Sequence, residues 1–278
     1  MNIYDQLKRI KKHSDNIHGH IQEYESQNDE IQLRKKVAVN KYSNYLLEVS
    51  KHHSIPVMDV EVKRFLKNIP PNGLILDIGG CWGWHWRNIE KIRPDVKIII
   101  LDLVRENFEH TKNILNNLLN KSIFLVHGNA VSLDFDSNTF DGIWSVQATQ
   151  HIPNYNTVFM EAFRVLKTKG YFSDYSLHNA PLIRMIYKLF NKHYHVEGFV
   201  NGYYYLRRPN KELKIKLLRI FENQLITRYT EILFSPAIRL PIGGKDKSIF
   251  GMFDALLSGN SWFNSLVARQ ISIHIHKP

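Results

Sequence analysis

From residue 74 onward, short apolar runs alternate with stretches of helical periodicity. Residues 74–78, 97–101, 122–126, 140–146 and 170–177 read as strands, and 84–92, 106–119 and 156–166 as the helices between them. Unbroken apolar strands, each followed by a helix, predict parallel pairing with both faces covered. Right-handed crossovers then leave a doubly wound α/β sheet as the expected fold class. Upstream, Met58, Val62, Phe65, Leu66 and Ile69 recur at helical spacing, and Pro70-Pro71-Asn72-Gly73 stops that helix. Residues 1–50 are polar and predict only weak helix.

The last hundred residues are less regular. Helices are expected over 180–191 and 213–221, and strands over 225–234 and 268–276. In the last strand Ile271, Ile273 and Ile275 alternate with Ser272, His274 and His276, which predicts that both histidines face solvent. An insertion holding Gly243-Gly244 and an apolar stretch over 250–257 separates those two strands. The organisation expected is a helical extension or lid over 1–70 and one domain over 71–278. Within that domain, 71–177 is the core and 178–278 the acceptor side.

Composition narrows the class. The chain has 278 residues, 44% of them hydrophobic and 23% charged, ordinary for a globular protein with a sizeable core. No apolar run approaches the roughly 20 residues of a membrane-spanning helix, and the first residues lack a signal-peptide core. The expectation is a cytoplasmic protein without stable membrane insertion, and the single cysteine, Cys81, agrees with a reducing compartment. The net charge of +11 is concentrated in 181–278, which hold 15 basic and 6 acidic residues. That imbalance favours an anionic partner. His193-x-His195 and His274-x-His276 lack companion ligands at metal spacing, so no metal is expected.

The chemistry gathers in Asp77-Ile78-Gly79-Gly80-Cys81-Trp82-Gly83, between a strand and a helix. Glycines there let the backbone turn sharply and approach a ligand closely. Asp102, ending the next strand, is placed to accept both hydroxyls of a ribose. Bulky Trp82, Trp84 and Trp86 crowd the turn, against the pyrophosphate of a nicotinamide dinucleotide and in favour of a ligand without phosphates.

Here the chain resembles the class I S-adenosylmethionine-dependent methyltransferases, of the small-molecule type. Asp77, Gly79 and Gly83 match the family's acid-x-Gly-x-Gly-x-Gly turn, with Gly80 beside Cys81 in the place of the middle glycine. Asp102 matches the ribose-binding acid, Leu103 the residue lying on adenine, and Gly128-Asn129-Ala130 the step that reads the adenine edge. The segments 133–145, 150–153 and 164–170 resemble the family's later landmarks, so the resemblance covers roughly residues 72–177 in order. It implies a mostly parallel seven-stranded sheet and S-adenosyl-L-methionine held by Asp77, Gly79, Gly80, Cys81, Trp82, Gly83, Asp102, Leu103, Asn129, Ala130, Val146 and Gln147.

His151, just past the fourth main strand, is the first candidate for a base, with Gln147 and Gln150 beside it. Tyr175 and His178 leave the fifth strand at the same edge and are expected to line the acceptor pocket. Tyr203-Tyr204-Tyr205, Arg207-Arg208, Arg228 to Glu231 and His52-His53 are weaker candidates. The acceptor expected is a small molecule or glycan, methylated at oxygen and anionic. Two alternatives stay open: a nucleic-acid methyltransferase, suggested by the charge, and a non-catalytic scaffold. Against the first, Ser145-Val146-Gln147-Ala148 is not the Asn/Asp-Pro-Pro-aromatic turn that grips a base amine.

Overall fold

The computed structural model describes residues 3–10, 17–19, 28–191, 198–200, 204–222, 224–234 and 241–278. His193, His195 and Tyr203 lie outside the described residues.

The predicted apolar runs form β2 (Leu74–Ile78), β3 (Lys97–Asp102), β4 (Ile123–His127), β5 (Phe140–Val146) and β6 (Leu166–Leu177). Besides a separate antiparallel hairpin of β7 (Gly198–Val200) and β8 (Tyr204–Leu206), the tail adds β9 (Ile226–Thr230) and β10 (Gln270–His276). With the two-residue edge strand β1 (Ile17–His18), they form one eight-stranded sheet in the order β1-β4-β3-β2-β5-β6-β10-β9. The seven expected strands are present, and β1 is an added edge, parallel to β4. Every pairing in this sheet is parallel except those of β10, which runs antiparallel to both β6 and β9. The order reverses between β3-β2 and β5, the switch point outside which open α/β sheets bind ligands.

Strand periodicity divides the core into two clusters. Leu76, Ile78, Ile99, Leu101, Ile143 and Phe172 face one side, against α1 (Ile3–Arg9), α7 (Tyr155–Val165) and α9 (Lys211–Phe221). Ile75, Ile98, Ile100, Trp144 and Tyr175 face the other, against α4 (Ile55–Leu66) and α6 (Asn107–Leu115). Pro56 starts α4 at a position where its missing N–H is harmless, and Met58, Val62, Phe65 and Leu66 give it a buried stripe. The N-terminal segment thus packs on both sides of the sheet: Ile3 and Leu7 on one, α4 on the other.

Two expectations change. The helix after the glycine turn is a 3-10 turn, Trp84–Trp86, followed by the short α5 (Ile89–Ile92). His274 is buried: α4 and the tail cover that face of β10, and the ring lies against Tyr171 and Tyr175. Its Nδ1 meets Ser173 Oγ at 2.8 Å, and burial pushes its pKa down to about 3. Only His276 reaches solvent, at the strand's end. Alternation identified the two faces of β10 but not that both are covered.

A short α2 (Asn28–Ala38), α3 (Tyr45–Val49) and the tail complete the carboxyl edge. Ser54, between α3 and α4, donates its N–H to Glu231 Oε1 at 2.8 Å, and Arg269 pairs with the same buried carboxylate. The extension and the tail therefore form one roof at that edge. Among the described residues no helix is long and apolar enough to cross a membrane.

Candidate functional site

The turn after β2 is built from backbone demands. Gly79 sits at φ +67°, and a Cβ there would come within 2.3 Å of the Ala148 Cβ, so glycine lets the loop after β5 cross closely. Gly83, at φ +66°, leaves room for Thr111 and Leu115 of α6. Cys81 adopts φ +50° despite its side chain, which explains how it stands where the resemblance places a glycine. The Cys81 N–H donates to Asp102 Oδ2 at 2.9 Å, and its carbonyl accepts from Thr111 Oγ1. Burial pushes the Cys81 thiol far up, so it is no nucleophile at neutral pH.

Asp102 ends β3 beside this turn. Its Oδ1 accepts from the Val104 N–H at 2.8 Å and from Asn107 Nδ2 at 3.1 Å. Those bonds lower its pKa, but burial outweighs them and the net shift is upward. Arg34, on α2, adds positive charge near enough to stabilise the carboxylate. Roughly one lone-pair direction of its four remains.

Asp77 lies inside β2, under the turn. It is buried there, where its Oδ2 accepts from Trp86 Nε1 at 2.7 Å and would clash with a Cβ on Gly80. Burial raises its pKa to about 7. Asn129 Oδ1 accepts from the Val131 N–H at 3.1 Å, a local turn that draws the carbonyl toward its own backbone. Ala130 beside it is buried.

Gly79, Cys81, Trp82, Leu103, Val146, Gln147 and His151 are each partly exposed. They mark a track along the ends of β2, β3 and β5. Trp84 and Trp86 pack into the core, while Trp82 joins Tyr42, Tyr45 and His110 beside the α6 end of the track.

The sequence reading missed His85. It is buried between Trp84, with ring centroids 3.9 Å apart, and Trp144, at 5.8 Å. Neither nitrogen has a hydrogen-bond partner among the described residues, and burial lowers its pKa to about 3. His53, beneath the roof, lies 6.5 Å away ring to ring with an unpartnered Nδ1, and Gln147 Nε2 and Trp144 Nε1 are likewise buried and unpartnered. Orphaned buried polar groups cost roughly 1–3 kcal/mol each, so a cluster of them calls for an occupant. The available signal was position: His85 is two residues past the last glycine of the turn.

The predicted catalytic set is dispersed. His151 Nε2 accepts from Gln150 Nε2 at 3.1 Å, and Gln150 Oε1 accepts from the Leu177 N–H. Tyr175 is fully buried, and its hydroxyl donates to Glu61 Oε2 at 3.0 Å. It points to the α4 face because alternate residues of β6 face opposite ways, so it does not line an open pocket. His178 lies against Tyr229, its Nδ1 accepts from the Ala180 N–H, and burial lowers its pKa to about 4. Arg207 stacks over Tyr155, Arg228 reaches Glu61, and Arg269 pairs with Glu231. Among the described residues no three candidate ligands gather for a metal.

Comparison with known proteins decides the class. A family profile described as a methyltransferase domain matches residues 76–173, the span from β2 to β6. Residues 76–173 match a methyltransferase domain of the class I S-adenosylmethionine-dependent kind. Over 112 residues it is 32% identical to a sterol 24-C-methyltransferase of Kluyveromyces lactis, covering 38% of this chain and 29% of that protein. Over 97 residues it is 35% identical to a demethylmenaquinone methyltransferase of Lactococcus lactis, covering 34% and 38%. The chain thus spans about a third of the length of these relatives. A SAM-dependent methyltransferase from Thermotoga maritima shares the fold at a TM-score of 0.57 and 13% identity, over 91% of this chain and 100% of that one. A phosphoethanolamine N-methyltransferase of Haemonchus contortus, solved with S-adenosyl-L-methionine, scores 0.52 at 15% identity, over 78% and 52%. The cofactor of the domain's class is S-adenosylmethionine. The carboxylate at the end of β3, the close-crossing turn and the exposed track fit a nucleoside laid across the switch point.

Proposed function

We propose that this chain transfers the methyl group of S-adenosylmethionine to an oxygen of a small-molecule acceptor bound under the roof at the carboxyl edge. The observation that carries the reading is the Gly79–Gly83 turn tied through Cys81 N–H to Asp102, inside the segment matched as a methyltransferase domain. When bound, the cofactor supplies an already activated methyl group, which leaves alignment and dryness to the protein.

Each residue then has a task. Asp102 and Leu103 receive the nucleoside, and Gly79 lets the backbone come close. Gln147, His85 and His53 offer polar atoms to an acceptor, in a setting walled by Trp84 and Trp144. His151 takes the proton that a hydroxyl acceptor must release. His85, neutral down to about pH 3, orients rather than titrates in any ordinary assay. An anionic acceptor finds little support, because Arg207, Arg228 and Arg269 are engaged with Tyr155, Glu61 and Glu231.

The test is transfer of label from methyl-tritiated S-adenosylmethionine into aqueous and solvent extracts, RNA and protein. Label in a small molecule, lost in Asp102→Ala, supports the proposal. Label in RNA points to a nucleic-acid enzyme, and label in no fraction to a cofactor-binding scaffold.

A further inference from the structure

Three helices at the carboxyl edge leave their apolar faces uncovered. The first, α8 (Pro181–Leu189), follows β6 and buries none of its residues, although it is strongly amphipathic. Leu189 and Phe190 at its end are 76% and 71% exposed, and Met185 is exposed on the preceding turn. Beside it packs α11 (Trp262–Val267), whose Trp262 is 78% exposed and Phe263 exposed as well. Four intervening residues separate it from α10 (Ile249–Leu257), with Ile249 and Leu256 above 80% exposure and Phe250, Met252 and Phe253 exposed between them.

These helices hold their positions without that apolar surface. Ser248 and Ser261 cap α10 and α11 by accepting from Gly251 N–H and Asn264 N–H. Asp254, on the inner side of α10, accepts from the Ile232 and Phe234 N–H groups. Gly251 lies against Pro56 of α4. The fold therefore fixes the inner faces and presents leucine, phenylalanine, methionine and tryptophan outward. Contiguous apolar surface of this kind marks an interaction site.

Charge selects the occupant. Along the described parts of this surface, Arg184, Lys188, Lys245 and Lys247 are exposed, against Asp246 as the exposed acid; Asp254 is buried. The wider tail is basic, with 15 cationic and 6 anionic residues over 181–278, and two of the six, Glu231 and Asp254, are buried. Large apolar and indole side chains beside lysine and arginine suit a helix lying in a lipid interface, its cations at anionic headgroups.

We infer that α8, α10 and α11 form a docking surface for an anionic lipid bilayer, through which the chain seats peripherally with its carboxyl edge toward the membrane. The three helices hang from β6, β9 and β10 at the same end of the sheet as the glycine turn. Docking thus brings the proposed acceptor site to the lipid boundary, where an apolar acceptor would be concentrated. The inference does not depend on methyl transfer.

Cosedimentation with vesicles of phosphatidylcholine alone, or with about a third phosphatidylglycerol, tests it. The wild-type chain should bind the anionic vesicles, more weakly as salt rises. The triple variant Phe250→Ser, Phe253→Ser, Trp262→Ser should lose about tenfold or more of that binding, since each buried aromatic contributes to interfacial insertion. Arg184→Glu with Lys188→Glu should remove the preference for phosphatidylglycerol. Both variants alter exposed side chains, so melting temperature and S-adenosylhomocysteine affinity should stay at wild-type values. A wild-type chain that ignores vesicles overturns the inference, as does a triple variant that binds them equally. A dimer that the triple variant dissolves, with no vesicle binding, assigns the surface to a second copy of the chain instead.

Discussion

At the scale of single residues, the site rests on backbone angles and orphaned polar atoms. Cys81 holds a left-handed conformation that costs a side-chain-bearing residue roughly 1–2 kcal/mol. Cys81→Gly should raise stability by up to about 1 kcal/mol in urea denaturation, part of the relief being offset by the freer unfolded chain, and should leave cofactor affinity intact. Gly79→Ala reverses the argument: strain and the approach to Ala148 together should cost on the order of 2–4 kcal/mol and weaken the cofactor. His85 carries the sharper functional claim. Because its nitrogens bond nothing among the described residues, His85→Phe should leave the melting temperature near wild type while turnover falls by about tenfold or more. Unchanged turnover would remove it from the acceptor site. The turn glycines and Asp102 were legible because spacing after a strand fixes them. The directions of Tyr175, Asn129 and Asp77 were not, because each is set by a partner distant in sequence or by a local turn: Glu61, Val131 N–H and the Trp86 indole.

At the scale of elements, apolar runs from 74 to 177 predicted strands that the structure reproduces within a residue or two, except that β6 begins four residues early. Those strands lie inside a sheet covered on both sides, where hydrophobicity alone marks position. The roof was harder to read. Its parts, the turn at Ser54, the buried Glu231 and Arg269, lie up to 215 residues apart and join through polar contacts that have no periodicity. Removing Glu231 would leave Arg269 and the Ser54 N–H unpaired, so Glu231→Ala should destabilise by about 3–5 kcal/mol. Loss of the roof without loss of the sheet would appear as faster hydrogen exchange over α3 and α10 than over β2 and β5.

At the scale of the molecule, buried titratable groups pull stability in opposite directions with pH. Asp77, with a pKa raised to about 7, keeps a proton when folded that the unfolded chain releases near pH 4, so its contribution is lost as pH rises from 4 to 7. Asp174 and Asp254, raised to about 6 by burial, act alike. His85, His178 and His274, lowered to about 3, 4 and 3, stay neutral when folded, while the unfolded chain takes up protons below about pH 6.5. Their contribution is lost as pH falls through that range. Asp77→Asn should therefore be more stable than wild type at pH 8, by on the order of 2–4 kcal/mol, and lose that advantage near pH 4. The positive charge of the tail was visible in the sequence, but its placement was not, because composition does not reveal which cations flank an uncovered apolar face.

The nucleoside site itself is tested most directly by titration calorimetry with S-adenosylhomocysteine. Wild type should bind one equivalent, and Asp102→Ala should bind at least about tenfold more weakly, having lost a charge-assisted ribose contact. No heat from S-adenosylhomocysteine, or equal affinity in the two proteins, would contradict the placement of the sugar at the end of β3.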